Sequence, residues 1–234
     1  MPSAPLAGRI AFFGGSFDPP HLGHVAIARA ARAALDLDRI LFAPVGAQPL
    51  KPQGSSASFE DRLAMTRLAV AGEAGFEASA IDAPHGADAR PNYTFDTLRR
   101  LRAELAPGAA LFCLMGADAF FGLRQWYRAV DLPFAAPFIV ASRPGQPLDQ
   151  LPAALPEGLH LHPLERRRSG GIEVRTFTVS DTGGRHAPFY LLPGLDMEIS
   201  ATDIRAQLVA GPEAAAKLLP DPVAAYIQAH HLYR

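Results

Sequence analysis

The chain has 234 residues, enough for one α/β domain with elaborations and a full hydrophobic core. Apolar residues make up 49% of it, which excludes a disordered chain, and a formal net charge of −1 excludes a global field that would recruit nucleic acid. A single cysteine, Cys113, excludes an internal disulfide framework and suits a reducing compartment. Met1-Pro2-Ser3-Ala4-Pro5 has neither the basic stretch nor the long apolar stretch of a signal peptide, and no run reaches membrane-spanning length. The expectation is a cytoplasmic protein with no membrane and no nucleic acid among its partners.

Taken in order, Ile10-Ala11-Phe12-Phe13 is apolar and short enough to be a buried strand. The stretch from Gly14 to His24 (Gly-Gly-Ser-Phe-Asp-Pro-Pro-His-Leu-Gly-His) follows, and Val25 to Leu35 is strongly helix-forming. The motif therefore sits on a strand-to-helix turn, where open α/β sheets place their ligands. Gly14 and Gly15 carry no Cβ and let the backbone approach a bulky anion, and amides at a helix N-terminus attract phosphate. His21 and His24, three residues apart in an opening turn, share one face, and each can donate to a phosphate oxygen. Metal ligation by the pair would need further Cys, His or carboxylate partners.

Arg39 to Pro44 reads as a second strand, and Val45 to Ser58, rich in proline, glycine and serine, as a loop. Its one cation, Lys51, is either a solvated loop lysine or a mobile charge that closes over phosphates. Ser58 and Asp61 have capping-box spacing, with Asp in place of Glu, ahead of a helix through Phe59, Leu63, Met65, Ala69 and Val70. Phe76 to Ile81 is the third strand. Thr94 stands at the N-cap of a further helix. Ala109 to Met115 is a fourth, nearly all apolar strand ending in Gly116-Ala117-Asp118. An acidic residue there can accept from ribose hydroxyls or cap a helix. Trp126-Tyr127 is either core or a stacking surface for an aromatic ligand.

Phe138 to Ala141 is the fifth strand. From Gln146 to Pro193 the pattern weakens, with a basic run Arg166-Arg167-Arg168 and Gly170-Gly171. Leu159 to His162 and Phe189 to Leu192 suggest edge strands, and the whole reads as a surface excursion around 146–195 of a single domain spanning 1–234. Ser200 and Asp203 repeat the capping-box spacing at the start of a helix that Gly211 ends. Hydroxyls, amides and Arg205 at that helix start make a second anion site. Pro222 suits the first turn of a closing helix.

The stretch Gly14 to His24 resembles the signature of the nucleotidyltransferase superfamily with the His-x-Gly-His motif, which transfers a nucleotidyl group and releases pyrophosphate. Tyr93-Thr94, Trp126-Tyr127, the run Glu198-Ile199-Ser200-Ala201-Thr202-Asp203-Ile204-Arg205 and the tail narrow the resemblance to the nicotinate-nucleotide adenylyltransferases. It covers nearly the whole chain except about 146–195, where the family is usually shorter. Five buried strands alternating with helices give an α/β fold, a Rossmann-like doubly wound parallel sheet of about five strands with flanking helices.

The resemblance implies a site for ATP at Gly14, Gly15, Phe17, His21, His24, Gly116, Asp118, Ile199, Ser200, Thr202 and Arg205. It implies one for nicotinate mononucleotide at Ser16, Phe17, Lys51, Tyr93, Thr94, Trp126 and Tyr127. His21, His24, Lys51 and Arg205 would be the catalytic set, holding the triphosphate and the charge developing on pyrophosphate. A phosphate monoester is largely dianionic at neutral pH and needs no general base to attack the ATP α-phosphorus. Mg²⁺ is expected to arrive with ATP, with no metal ligands from the protein. The two nucleotides are the expected partners, with self-association left open. The rivals are a nicotinamide-mononucleotide or pantetheine-phosphate adenylyltransferase, other transferases sharing the first motif, and a non-catalytic nucleotide sensor.

Overall fold

The computed structural model describes residues 5–50, 53–85, 90–142, 148–195, 199–211 and 215–234. Its strands are β1 (Arg9–Gly15), β2 (Arg39–Pro44), β3 (Phe76–Ala78), β4 (Ala110–Gly116), β5 (Phe138–Ala141), β6 (Leu159–Ser169), β7 (Ile172–Asp181) and β8 (His186–Leu192). They form a sheet in the order β3-β2-β1-β4-β5-β8-β7-β6. The helices are α1 (Leu22–Leu35), α2 (Phe59–Val70), α3 (Thr94–Ala103), α4 (Ala117–Phe121), α5 (Leu132–Ala135), α6 (Leu151–Ala154), α7 (Ala201–Ala210) and α8 (Asp221–Ala229). None of them is long and apolar enough to cross a membrane.

Eight described strands replace the five expected, and the surplus comes from the 146–195 stretch. The third strand is also shorter than expected. Past Ala78 the hydroxyl of Ser79 accepts the Ile81 N–H (3.2 Å), a local bond that competes with the sheet ladder.

The chain divides into two compact units. The first comprises the described residues within 1–13, 27–40 and 93–196. Here β1, β4, β5 and β8 run parallel, with Phe12 opposite Cys113, Leu114 opposite Ile139 and Val140 opposite Leu191. Central parallel strands are covered on both faces, so continuous apolar runs such as Phe138-Ile139-Val140-Ala141 are what they require. Burial pushes the Cys113 thiol up to about 12, which leaves it an inert packing residue.

Phe189 to Leu192 is not an edge strand. β8 lies between β5 and β7, and Phe189 packs edge-on against Phe120 (5.4 Å) and Phe177 (5.8 Å). From β8 outward the sheet turns antiparallel, so it is mixed rather than purely parallel. Leu159 to His162, by contrast, does lie on the outermost strand. Gly170 (φ 55°) and Gly171 (φ 78°) form the two-residue turn between Ser169 and Ile172. Two consecutive left-handed residues match the twist of a hairpin, and glycine adopts them without strain.

The second unit comprises the described residues within 14–26, 41–92 and 197–234. Met65 and Ala69 of α2, Ile204 of α7, and Val223 and Ile227 of α8 bury against one another. Ser58 caps α2, its hydroxyl accepting the Asp61 N–H (3.0 Å) and donating to the Asp61 carboxylate (2.7 Å).

Candidate active site

The cradle motif lies at the end of β1, and Gly14 and Gly15 are its last two residues. Phe17 follows in a left-handed conformation (φ 47°), unusual for a bulky residue. Its buried ring holds it there, 4.8 Å from the His24 ring and 5.7 Å from Phe42. A Cβ on Gly15 would stand 3.3 Å from that ring. Glycine is needed at Gly15 partly for Phe17, beyond the anion approach expected for it.

The two signature histidines stack, ring centroids 3.7 Å apart and planes 29° from parallel. His21 precedes α1 and His24 lies in its first turn. The His21 backbone N–H donates to Nδ1 of His24 (3.2 Å). Neutral His24 therefore carries its proton on Nε2, an assignment that follows from the bond. Burial, and next the neighbouring His21, hold the His24 pKa well below 6.5. It is a neutral donor at physiological pH. A Cβ on Gly23 would meet Nδ1 of His21 at 3.0 Å, so the glycine of His-x-Gly-His makes room for the first imidazole.

The second signature is drawn to the first. Arg205 on α7 donates through Nη1 to the Asp18 carbonyl (2.7 Å) and through Nη2 to the Thr202 hydroxyl (3.3 Å). Ser200 is the N-cap of α7, but its hydroxyl accepts from the Thr202 N–H (3.2 Å), one residue short of the expected Asp203. Gly211 does end that helix, with extended backbone rather than a left-handed turn. Ser16, Phe17, His21, His24, Ile199, Ser200, Thr202 and Arg205 are thus gathered within the second unit. Lys51 lies outside the described residues.

Four residues of this unit that the sequence reading left without a role complete the arrangement. The Asp18 carboxylate is buried and accepts from the amides of Ser56 (2.6 Å) and Ala57 (3.1 Å) and from the Tyr233 hydroxyl (2.8 Å). Burial, then Asp18, raises the Tyr233 pKa, so its hydroxyl stays a donor. Gln48 donates to the Ser16 hydroxyl. Arg62, 2% exposed, donates to the carbonyls of Ser16 (2.6 Å), Val45 (2.8 Å) and Ala57 (3.3 Å). One signal was legible: Arg62 falls at helical spacing with Phe59, Thr66 and Ala69, a charge on a face that otherwise reads as core.

In the first unit, Tyr93 rather than Thr94 is the N-cap of α3, and its side chain makes no capping bond. Thr94 opens the helix because a β-region residue at Tyr93 already supplies the cap conformation. The Tyr93 and Tyr127 rings lie 4.4 Å apart, and Tyr127 keeps 48% of its surface. Trp126 is half-buried. Arg128, at φ 52°, lies over Phe95 (4.1 Å) and pairs with Asp131 (2.7 Å), while Arg124 donates to the Leu155 carbonyl (2.8 Å). Gly116 is the N-cap of α4, so Asp118, exposed in its first turn, is not the cap. A Cβ on Gly116 would meet nothing within 4 Å.

Among the described residues no three His, Cys, Asp or Glu side chains are grouped to hold a metal. The donors of the cradle are imidazole and guanidinium, which suit phosphate oxygens rather than a hard cation.

The sequence profile of the cytidylyltransferase-like family matches residues 12–207. The chain belongs to that family. A probable nicotinate-nucleotide adenylyltransferase of Gloeobacter violaceus is 39% identical over 230 residues, covering 97% of each chain. One of Roseiflexus is 38% identical over 240 residues, covering all of both. Among solved structures, a nicotinic acid mononucleotide adenylyltransferase of Plasmodium falciparum, complexed with NaAD, superposes with a TM-score of 0.67 over 97% of each chain at 16% identity, a likeness of fold. The family match reaches across the 146–195 stretch.

Proposed function

We propose that this adenylyltransferase joins ATP and nicotinate mononucleotide to give nicotinate adenine dinucleotide and pyrophosphate, working as one nucleotidyltransferase domain in the cytoplasm. The observation that carries the reading is the Arg205 bond to the Asp18 carbonyl (2.7 Å), which draws both phosphate signatures to one place beside the stacked His21 and His24. The names of full-length relatives supply the substrate.

The mononucleotide 5′-phosphate attacks the α-phosphorus in line; a phosphate oxygen to α-phosphorus bond forms as the bond to the pyrophosphate oxygen breaks. The dianionic attacker needs no base, so the protein contributes position and charge. His24 donates from Nε2–H, His21 supports it by stacking, and Arg205 and Lys51 supply positive charge to the departing pyrophosphate. Gly14, Gly15, Phe17, Ile199, Ser200 and Thr202 line the triphosphate, and Ser16 and its neighbouring amides place the acceptor phosphate. Gly116 leaves open space and Asp118 accepts from a ribose. Mg²⁺ would arrive with the triphosphate and neutralise part of its charge.

The pyridine ring stacks on the aromatic surface of Tyr93, Trp126 and Tyr127, and its carboxylate accepts from α3 amides at Thr94, where no side chain caps the helix. Arg124 and Arg128 are engaged elsewhere, so backbone donors discriminate acid from amide. An amide keeps one acceptor oxygen but turns its NH₂ toward the second donor; that one unpaired donor, at about 1–3 kcal/mol, gives a preference of roughly 10-fold or more for the acid. The test is pyrophosphate release from ATP with nicotinate mononucleotide, nicotinamide mononucleotide and phosphopantetheine in turn. Equal kcat/KM for the two pyridine nucleotides removes the acid specificity, and release only with phosphopantetheine removes the substrate.

A further inference from the structure

We propose that Arg62 is a positioning residue for phosphate binding, holding the peptide planes of the cradle loop so that the Ser16 and Phe17 amides are aimed away from β2 and α2. The inference rests on the adenylyltransfer reading for its effect on turnover, but not for its effect on anion binding.

A trans peptide is planar, so its C=O and N–H point in opposite directions. Val45 and Gly46 illustrate the rule: the Val45 carbonyl accepts from Arg62 (2.8 Å) while the Gly46 N–H of the same plane donates to Asp82 (2.7 Å). In the cradle, the Gly15 carbonyl accepts from the Val45 N–H (2.9 Å) and the Ser16 carbonyl from Nη1 of Arg62 (2.6 Å). Two consecutive carbonyls are drawn to β2 and α2. The amides on the same two planes, those of Ser16 and Phe17, therefore point the other way. Consecutive amides directed to one side form an anion-binding concavity.

This orientation is not the one the loop would choose for itself. Phe17 is a bulky residue at φ 47°, a conformation that persists only where its surroundings over-determine it. The guanidinium adds to the packing of the Phe17 ring through three carbonyls at once, Ser16 and Val45 at the ends of two strands and Ala57 before α2. An apolar residue would fill the same volume on α2 without burying a charge, so packing alone does not call for arginine there. Lysine brings one point charge and no fork, so it cannot hold Ser16 and Val45 together in this geometry.

The test uses the full chain as Arg62→Lys and Arg62→Met, with inorganic tripolyphosphate as the binding probe and ATP turnover normalised to folded protein. Arg62→Lys with a native unfolding transition is expected to bind tripolyphosphate more weakly and to lose kcat on the order of 10²-fold, as for a reacting group misplaced by about 1 Å. Ethylguanidinium added to Arg62→Met is expected to restore part of that loss, which a merely structural role would not give. Unchanged tripolyphosphate affinity and kcat in folded Arg62→Lys overturn the proposal. If neither variant folds, the wild-type Ser16 and Phe17 amide resonances decide: both are expected to shift on adding tripolyphosphate, and no shift overturns it. Wild-type protein that binds tripolyphosphate but releases no pyrophosphate sinks the functional reading and leaves this one standing.

Discussion

Two arginines do opposite kinds of work in this chain. Arg185, in the first unit, is half exposed; it pairs with Asp181 (2.6 Å) and Asp131 (2.9 Å) and lies over Phe134 (4.2 Å). Arg62, in the second unit, is sealed from water and faces three backbone carbonyls. The hydrogen bond from Arg185, and secondarily Arg128, holds the Asp131 carboxyl below its usual range, yet water screens such pairs and they stabilise little. Around Arg62 no water replaces a lost partner, so every vacated carbonyl or charge costs its full desolvation. Counting ion pairs would place the brittle point in the first unit. Burial places it at the cradle.

The sharpest way to break that comparison is Asp18→Ala. It removes the buried carboxylate beside Arg62 and orphans the Ser56 and Ala57 amides and the Tyr233 hydroxyl. Denaturant unfolding should show a loss of about 3–5 kcal/mol, the range for leaving a buried charge uncompensated. A loss no larger than that of a surface substitution would mean that burial is not what matters here.

His24→Ala should be the largest effect on chemistry, lowering kcat/KM on the order of 10²-fold, the scale for removing one preorganised donor. Its unfolding midpoint should move less than that of Asp18→Ala, since it vacates one amide and two ring contacts rather than a buried carboxylate. Near-full turnover by the folded variant would remove His24 from the mechanism.

Acid should weaken the second unit through the same histidine. Because its folded-state pKa lies well below 6.5, the unfolded chain binds a proton below about 6.5 that the folded chain does not. Stability is therefore unaffected by this group above about 6.5 and falls as pH drops below it. In thermal melts from neutral to mildly acidic pH, His24→Asn should lose less than wild type; parallel curves would place the titration elsewhere.

The smallest effects belong to the exposed charges of the first unit. Arg185→Ala should shift the melting temperature only slightly, and the shift should vanish in high salt. Replacing Arg166, Arg167 and Arg168 together by alanine should leave turnover intact, since Arg167 donates to the Ala34 carbonyl and lies beside Glu165 (3.8 Å), and Arg168 donates to the Gly171 carbonyl. RNA or DNA binding that disappears with the triple substitution would give this hairpin a partner and overturn its reading as solvated charge.

Much of the site was readable in advance where the controlling interactions are local. The strand, the Gly-Gly turn, the histidines three apart and the caps at Ser58 and Ser200 each depend on neighbours within a few residues. The readings that changed turned on tertiary context. Thr94 gave up the N-cap to Tyr93, and Phe189 to Leu192 became an inner strand because Phe120, Phe138 and Phe177 surround it. The hairpin had a signal in Gly170-Gly171 between stretches of eleven and ten residues, but the charges of β6 hid the strand pattern.

The sequence by itself therefore determined the α/β class, the places of the first five strands along the chain, and the helix starts that follow His21 and Ser200. Hydrophobic runs and helix caps are properties of short segments, and they survive without knowledge of the fold. Only the tertiary structure decided that Arg205 meets Asp18 across 187 residues of chain and that Arg62 meets Ser16 across 46. Local sequence marks Arg62 as a charge on an apolar helix face and Arg205 as a cation at a helix start, but it names no acceptor for either. For Arg62 the deciding change is loss of water: once buried, a guanidinium must find oxygen acceptors, and the acceptors available are the carbonyls of the loop it then holds in place.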